Sequence, residues 1–354
     1  MVGSVKALVL HAVGDLRYEE VATPEVPEGW ARVRVHACGV CGSDLPRCFV
    51  KGTYRFPTIP GHEFAGTVEA VNGDGPAPGT SVAVFPLIWC DRCEACQKGA
   101  YAQCEDYDYL GSRRDGAWAE FVIAPNRNLI PLPAGVHLDD ACLTEPAAVA
   151  LHALRRAGGV RLGEIVAIFG AGPIGLMAAD WARLMGAGDV VLFDVAADKL
   201  ALAADRGFPH AFDSRECDPR AVLEELSPGG APLTLEAAGV PATTVAAIRA
   251  TRRAGRCVLM GNPEAGVSLP SDLLSQAMRR EISLLGTWNS TYSPAGTDDD
   301  WHPCLNAMAA RRFTPATLVS HRIPLAQAAE FLLAMSRREV TTARVLLIPA
   351  PDSP

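Results

Sequence analysis

Four cysteines, Cys90, Cys93, Cys96 and Cys104, form a C-x2-C-x2-C-x7-C run that constrains this chain more than any other stretch. At that spacing one loop can wrap one ion. Four thiolates around Zn²⁺ fill a tetrahedral shell and leave no open position, so the expected site is structural. A single Cys-x2-Cys could be a redox dithiol or a pair of free surface thiols. Three cysteines at this spacing with a fourth nearby fit a tetrahedral ion better. The flanking residues are mostly polar or small and offer little core, so the ion would hold the loop in shape.

A second set is mixed in chemistry and scattered in sequence. Cys41 lies in Cys41-Gly42-Ser43-Asp44, and His62 and Glu63 lie in Gly61-His62-Glu63. Sulfur and nitrogen ligands of this softness suit zinc. A carboxylate third ligand with a fourth position open is how a catalytic zinc is built. Glu63 and Glu145 both qualify. One can bind the metal while the other orients a ligand or the bound water, and the two can exchange. Ser43 is placed to hydrogen-bond a substrate hydroxyl, or else is a plain turn serine. Cys38 reads as a small buried hydrophobe, and His36 and His152 as core or capping residues.

Gly170-Ala171-Gly172-Pro173-Ile174-Gly175 follows the apolar run Ile165–Phe169 and opens an amphipathic helix closed by Gly186. In that context G-x-G-x-x-G reads as a dinucleotide turn. Gly170 permits the tight turn, Gly172 lets backbone approach a pyrophosphate, and Gly175 lets helix and strand pack closely. The helix N-terminus offers free N–H groups to the phosphates. Asp194 ends the next strand at about the offset expected for a ribose-binding acid. Its charge repels a 2′-phosphate, and no Arg follows it to receive one, which favours NAD over NADP. The candidate dinucleotide set is Gly170, Gly172, Pro173, Ile174, Gly175, Asp194 and Lys199. The plainer reading is turn glycines and a helix-capping Asp.

The chain's 354 residues suit two domains. A net charge of -8 leaves no basic stripe to neutralise phosphates, which argues against a nucleic-acid partner. No apolar stretch reaches the roughly 18 residues a membrane span needs. No signal peptide is evident, because the apolar run Val5–Val9 is short and no cleavage site follows. Eleven cysteines, clustered and odd in number, therefore fit metal ligation in a reducing cytoplasm better than disulfides.

The texture of the chain changes once and then changes back. Residues 1–148 read as β-rich, with short runs at Lys6–Leu10, Ala31–Ala37, Glu63–Val71, Ser81–Phe85 and Ala119–Ile123 punctuated by Gly and Pro. That suggests a bent sheet or partial barrel. Residues 149–292 alternate strands and helices in the βαβαβ order of a doubly wound parallel sheet. From 293 to 354 the chain returns to Pro-containing loops, a helix near Leu325–Arg337 and a strand at Arg344–Pro349, assigned to the first domain.

At this point the residues are similar to a known family. The chain resembles the zinc-containing medium-chain dehydrogenase/reductase superfamily over nearly its full length, in its polyol dehydrogenase branch. The echoes are Cys41-Gly42-Ser43-Asp44-Leu45-Pro46-Arg47, Gly61-His62-Glu63-Phe64 and Gly111-Ser112-Arg113-Arg114-Asp115-Gly116. Glu236-Ala237-Ala238-Gly239-Val240-Pro241 and Trp288–Pro294 add to them. The resemblance implies an α/β protein with a GroES-like β-rich catalytic domain and a Rossmann domain. It implies two zinc ions per chain and NAD, with Cys41, His62 and Glu145 as ligands and Glu63 as ligand or support. It also implies a homodimer or homotetramer joined through a strand such as Glu281–Gly286. Three positions depart from the family pattern. Asn72 stands where Gly or Ala is usual, the Gly-Asp-Arg-Val turn reads Gly79-Thr80-Ser81-Val82, and a proton-relaying His is Pro46.

The implied reaction is reversible oxidation of a secondary alcohol of a polyol or polyol phosphate, with a water held by Glu145 or Glu63 in place of the missing His. Arg47, Lys51, Arg113 and Arg114 are candidate cations for a phosphate, and Trp118 and Trp288 are candidate pocket walls or core. The alternatives are a cyclitol, amino alcohol or simple secondary alcohol as substrate. From another class, the chain could be a non-catalytic NAD- and zinc-binding relic, which predicts a damaged ligand set.

Overall fold

Strict alternation builds the first sheet. In Trp30–Gly39 the side chains of Ala31, Val33, Val35 and Ala37 are buried while Arg32, Arg34 and His36 point away. A strand with one face in the core and one face out has this period of two. The outward arginines still pack: Arg34 lies 4.6 Å from the ring centre of Phe121, its cross-strand partner. The computed structural model describes residues 3–349 apart from residue 264. Its internal contacts form two units, Met1–Pro146 with Ser290–Pro354, and Ala147–Asn289.

The first unit carries β1 (Ser4–Ala12), β2 (Asp15–Ala22), β3 (Trp30–Gly39), β4 (Glu63–Val71) and β5 (Ser81–Val84). It continues through β6 (Leu87–Ile88), β7 (Asp108–Tyr109), β8 (Phe121–Pro125) and β9 (Leu129–Pro131). The second unit carries β10 (Ile165–Phe169), β11 (Asp189–Asp194), β12 (Ala211–Asp213), β13 (Ala231–Glu236), β14 (Thr251–Leu259) and β15 (Ser283–Gly286). The chain then re-enters the first unit with β16 (Val319–Pro324) and β17 (Arg344–Ile348).

In the first unit a seven-stranded sheet runs β16-β17-β3-β4-β5-β9, with β8 also paired to β3. The C-terminal strand β17 thus lies beside β3, and β3 beside β4. Trp118 and Phe64 fill the core of this unit with Leu8, Leu10 and Val33. Trp118 is wholly buried, so its role is core and not a pocket wall. Trp288 is 57% exposed. β2 was not evident in the sequence because the alternation of Leu16 and Tyr18 with Asp15, Arg17 and Glu19 is short and breaks at Glu20. It forms by pairing with β1 from Ser4↔Ala22 to Ala12↔Asp15. The helix expected over Leu325–Arg337 divides into a 3-10 turn, Leu325–Gln327, and an α-helix, Ala328–Ser336.

The second unit is a six-stranded, wholly parallel sheet in the order β12-β11-β10-β13-β14-β15. Its central strand β10 is apolar throughout, and β13 is wholly buried, because helices cover both faces of such a sheet. Phe169, Phe193 and Phe212 stack across three adjacent strands, with centroids 5.0 and 6.0 Å apart. The strand order reverses direction between β10 and β13, which is where such sheets bind their ligands. No described helix is long and apolar enough to cross a membrane.

Candidate zinc and dinucleotide sites

β3 ends at Gly39, and the chain turns at once through Cys41. That turn is closed from both sides: Asp44 N donates to Cys41 O, and Cys41 N donates to Asp44 Oδ2, each at 3.0 Å. β4 begins at Glu63, directly across from Gly39. The register therefore sets His62 and Glu63 beside the Cys41 turn. Ligand atoms of Cys41, His62 and Glu63 all lie within 4.8 Å of one another. Ser43 Oγ donates to Cys41 Sγ at 3.2 Å.

Three groups that the motifs did not assign complete this surround. Asp44, fully buried, is bound by Arg47 at 2.6 Å and lies 3.6 Å from His62 Nδ1. His62 Nδ1 is itself buried without a hydrogen bond. Arg344 of β17 reaches over β3 and pairs with Glu63, both side chains almost fully buried. The crossing needs Gly39, since a Cβ there would overlap the Glu63 carboxylate. Tyr109 packs edge-on to His62 at 5.6 Å and donates its hydroxyl to Glu145 Oε1 at 3.2 Å.

Glu145 is in the first turn of the helix Thr144–Arg156 and stands outside the 4.8 Å set. Burial pushes its pKa up to about 7, against the opposing charge of His62. Burial works against a charged His62 ring, yet Asp44 and Cys41 more than offset it and raise its pKa to about 10. Burial, together with the Glu145 charge, also pushes Tyr109 upward. A sulfur, a ring nitrogen and a carboxylate converging in a surround this rich in negative charge fit a divalent zinc.

The four cysteines form a separate lobe around the short helix Glu94–Gln97. Their sulfurs lie within 4.8 Å of one another, with separations of 3.4 Å for Cys93–Cys96, 3.9 Å for Cys90–Cys96 and 4.0 Å for Cys93–Cys104. Tetrahedral Zn–S bonds of about 2.3 Å set sulfurs about 3.8 Å apart, so the cage fits that ion. Backbone N–H groups of Glu105 and Cys96 lower the Cys93 thiol to about 6, favouring the thiolate a metal needs. Trp89 ties the lobe down by stacking on Tyr101 at 4.1 Å beneath Arg127.

In the second unit the glycine turn joins β10 to the helix Pro173–Leu184, capped at its N-terminus by Gly172. A Cβ on Gly175 would overlap the Gly170 carbonyl oxygen, and one on Gly170 would meet Ala238 N at 2.9 Å. Nothing lies within 4 Å of where a Gly172 Cβ would be, so the backbone is bare there. That combination fits a pyrophosphate cradle. Asp194 accepts from Ala171 N and Val195 N at 2.8 Å and from Ala196 N at 3.0 Å, with Lys199 Nζ 3.7 Å away. A carboxylate has about four acceptor positions, which leaves room for a ribose hydroxyl. Glu236, unassigned in the sequence, braces the neighbouring turn by accepting from Ala238 N, Gly239 N and Thr243 Oγ.

A GroES-like β unit with two zinc-type donor sets, followed by a parallel sheet with a dinucleotide turn, defines a class. The chain belongs to the zinc-containing medium-chain dehydrogenase/reductase superfamily. The family description "Alcohol dehydrogenase GroES-like domain" matches residues 27–134 and "Zinc-binding dehydrogenase" matches 173–310. Within the superfamily it is an oxidoreductase of the zinc-dependent alcohol and polyol dehydrogenase type, a class whose cofactors are zinc and a nicotinamide dinucleotide. Galactitol 1-phosphate 5-dehydrogenase of Escherichia coli K12 is 34% identical over 98% of this chain and 100% of its own length. The crystal structure of the Escherichia coli galactitol-1-phosphate dehydrogenase superposes with a TM-score of 0.91, at 35% identity, over 97% and 100% of the two chains. Sorbitol dehydrogenase of Bacillus subtilis is 33% identical over 73% of this chain and 76% of its own. A structure from Sinorhizobium meliloti 1021 bound to NADP is 29% identical over 98% and 100%, with a TM-score of 0.88.

Proposed function

We propose that the chain reversibly oxidises a secondary alcohol of a polyol or polyol phosphate to the ketone, with NAD as acceptor. The observation that carries this is the Cys41, His62 and Glu63 donor set, intact in a chain similar to galactitol 1-phosphate and sorbitol dehydrogenases. In this reading Cys41, His62 and a carboxylate, Glu63 or Glu145, hold the catalytic zinc, and Cys90, Cys93, Cys96 and Cys104 hold a structural one. When bound, zinc supplies Lewis acidity toward the substrate oxygen, and the dinucleotide supplies the hydride acceptor.

The residues around it do the positioning. Ser43 Oγ takes the hydroxyl proton and passes it outward. Pro46 has nothing that titrates, so the exit runs through water held at Glu145 or Glu63. A carboxyl near 7, as Glu145 is, both accepts and releases a proton near neutral pH. Asp44 fixes the Cys41 turn, and Arg344 pairs with Glu63 and fixes its carboxylate in place. The Asp194 carboxylate supports NAD over NADP, since a 2′-phosphate would meet a negative charge.

We place the chain in a reducing cytoplasm, because its metal lobe needs four free thiols. It assembles as a homodimer or homotetramer through β15, an edge strand whose Leu284 is 41% exposed. The functional test is NADH release across polyols, polyol phosphates and cyclitols, repeated with NADP. Cys41→Ala abolishes turnover while NAD still binds. Turnover that persists in that variant, or after metal removal, defeats the zinc role. Release from cyclitols alone moves the substrate out of the polyols.

A further inference from the structure

Four arginines crowd the two loops at residues 47–56 and 107–116, and three of them are neutralised. Arg47 is bound to Asp44 at 2.6 Å, Arg55 to Asp115 at 2.8 Å and Arg114 to Asp108 at 2.7 Å. Arg113 has no carboxylate within ion-pair distance among the described residues. Its guanidinium carbon instead lies 4.2 Å from the ring centre of Tyr54 and 4.3 Å from that of Tyr107. Ring faces attract a cation and fix its plane without cancelling its charge. The guanidinium also hydrogen-bonds both tyrosines, and the N–H donors beyond those form an edge that can match an oxyanion.

The surroundings give Arg113 a fixed address. Arg113 lines a cavity of about 470 Å³ in which the other cationic groups face carboxylates, including His11 against Glu19 at 2.9 Å. Thr53 Oγ donates to Ser112 O at 2.6 Å, which ties the loop of Tyr54 to the loop of Arg113. Gly111 and Gly116 both press on the Gly61 backbone, one residue before His62, where no Cβ would fit. From Tyr107 the ring contacts continue to Tyr109 at 6.3 Å and then to His62 at 5.6 Å. The cation is therefore anchored to the same backbone that positions the candidate zinc ligands.

We propose that Arg113, held by Tyr54 and Tyr107, is a phosphate subsite that takes the charged end of a phosphorylated polyol. This deepens the polyol reading and rests on it for the identity of the substrate. The subsite itself, as a binder of a phosphate group, stands on the loop geometry. Free phosphate shares the chemistry of the ester, and the two sources separate in the test.

The experiment uses zinc-loaded, NAD-saturated enzyme, so that the dinucleotide cradle is already filled. Inorganic phosphate is titrated calorimetrically, and kcat/KM is measured for galactitol 1-phosphate and for galactitol. In Arg113→Met both phosphate affinity and the ester-to-polyol ratio of kcat/KM fall roughly 10- to 100-fold, the range for a hydrogen bond to a charged group. Arg113→Lys keeps part of each, and Arg55→Met keeps the wild-type values. Phosphate binding or an ester preference that survives Arg113→Met overturns the subsite. A wild-type ratio near one, with phosphate binding lost in Arg113→Met, upholds a free-phosphate site and rejects the substrate role. No NADH release from either compound, with phosphate binding still lost in the variant, defeats the polyol reading alone.

Discussion

Arg344→Met would put the electrostatics of the candidate zinc site to a direct measurement. Glu63 is 1% exposed and Arg344 4%, and their ion pair joins residues 281 apart in sequence. Methionine keeps the length and apolar contact of the side chain and deletes its charge. The buried carboxylate then has two ways to respond. It can remain charged and unpaired, at a cost of about 3–5 kcal/mol for breaking a buried pair. Or it can take up a proton, which for an ordinary carboxyl of pKa about 4.3 costs about 4 kcal/mol at pH 7, at 1.36 kcal/mol per unit. The easier route caps the loss, so the expected destabilisation at pH 7 is about 4 kcal/mol.

The pH dependence separates this explanation from simple loss of packing. In the variant the folded state prefers the protonated carboxyl more than the unfolded state does, so it binds more protons. Its stability relative to the parent therefore falls as pH rises and recovers as pH drops toward the unfolded value. At pH 5 the same protonation costs only about 1 kcal/mol. Urea unfolding of metal-stripped protein, followed by tryptophan fluorescence, reads the difference. Trp30, Trp89, Trp118 and Trp301 all report from the unit that holds the pair. A deficit under about 1 kcal/mol at pH 7, or one that stays constant down to pH 5, would falsify the claim that the buried Glu63–Arg344 ion pair supports the site.

Other substitutions probe the remaining sites. Cys93→Ser should lose one zinc equivalent by metal analysis and open residues 90–104 to limited proteolysis; full metal content with unchanged stability would remove the structural-zinc assignment. Gly175→Ala places a Cβ against the Gly170 carbonyl and should cost about 1–3 kcal/mol of stability as overpacking. It should also weaken NAD binding, and a titration indistinguishable from the parent's would count against the cradle. Asp194→Asn keeps a side-chain acceptor for the Val195 and Ala196 amides but removes the charge. The NAD-over-NADP preference should drop on the order of tenfold, the worth of one like-charge contact screened as in bulk water. A preference that does not move means that Asp194 does not discriminate.

What could be read from the sequence was whatever the chain encodes within a few residues. The four-cysteine lobe is local: one short helix and its flanks bring four sulfurs together, so spacing alone announced it. The glycine turn is local for the same reason, since Gly170 and Gly175 touch each other within one turn. Asp44 was quoted as part of a motif but given no task. Its place three residues after Cys41, where a carboxylate can close the turn, was the clue. β2 escaped notice because its alternation covers only Asp15–Glu19, and pairing with β1 extends it into a strand. Glu236 likewise stood in a quoted run without a task, and Tyr109 gave no sign, since a tyrosine at a strand end is ordinary on its own.

The Glu63–Arg344 pair shows why such losses fall where they do. Arg344 opens an apolar strand, Arg344–Ile348, and a charged residue at that place reads as the strand's solvated start. Only the sheet order turns it inward. β17 pairs with β3 at Leu346↔Gly39, and β3 pairs with β4 at Gly39↔Glu63, so Gly39 lies between Glu63 and the strand that Arg344 opens, two residues before Leu346. Any side chain at Gly39 would occupy the carboxylate's place. Gly39→Ala should therefore disturb the site as Arg344→Met does, though it removes no charge and lies in neither motif. The two perturbations should also fail to add, because each severs the same contact and residues sharing one contact are coupled. If their destabilisations sum, Gly39 has a separate role and the crossing of β3 is not what holds Glu63.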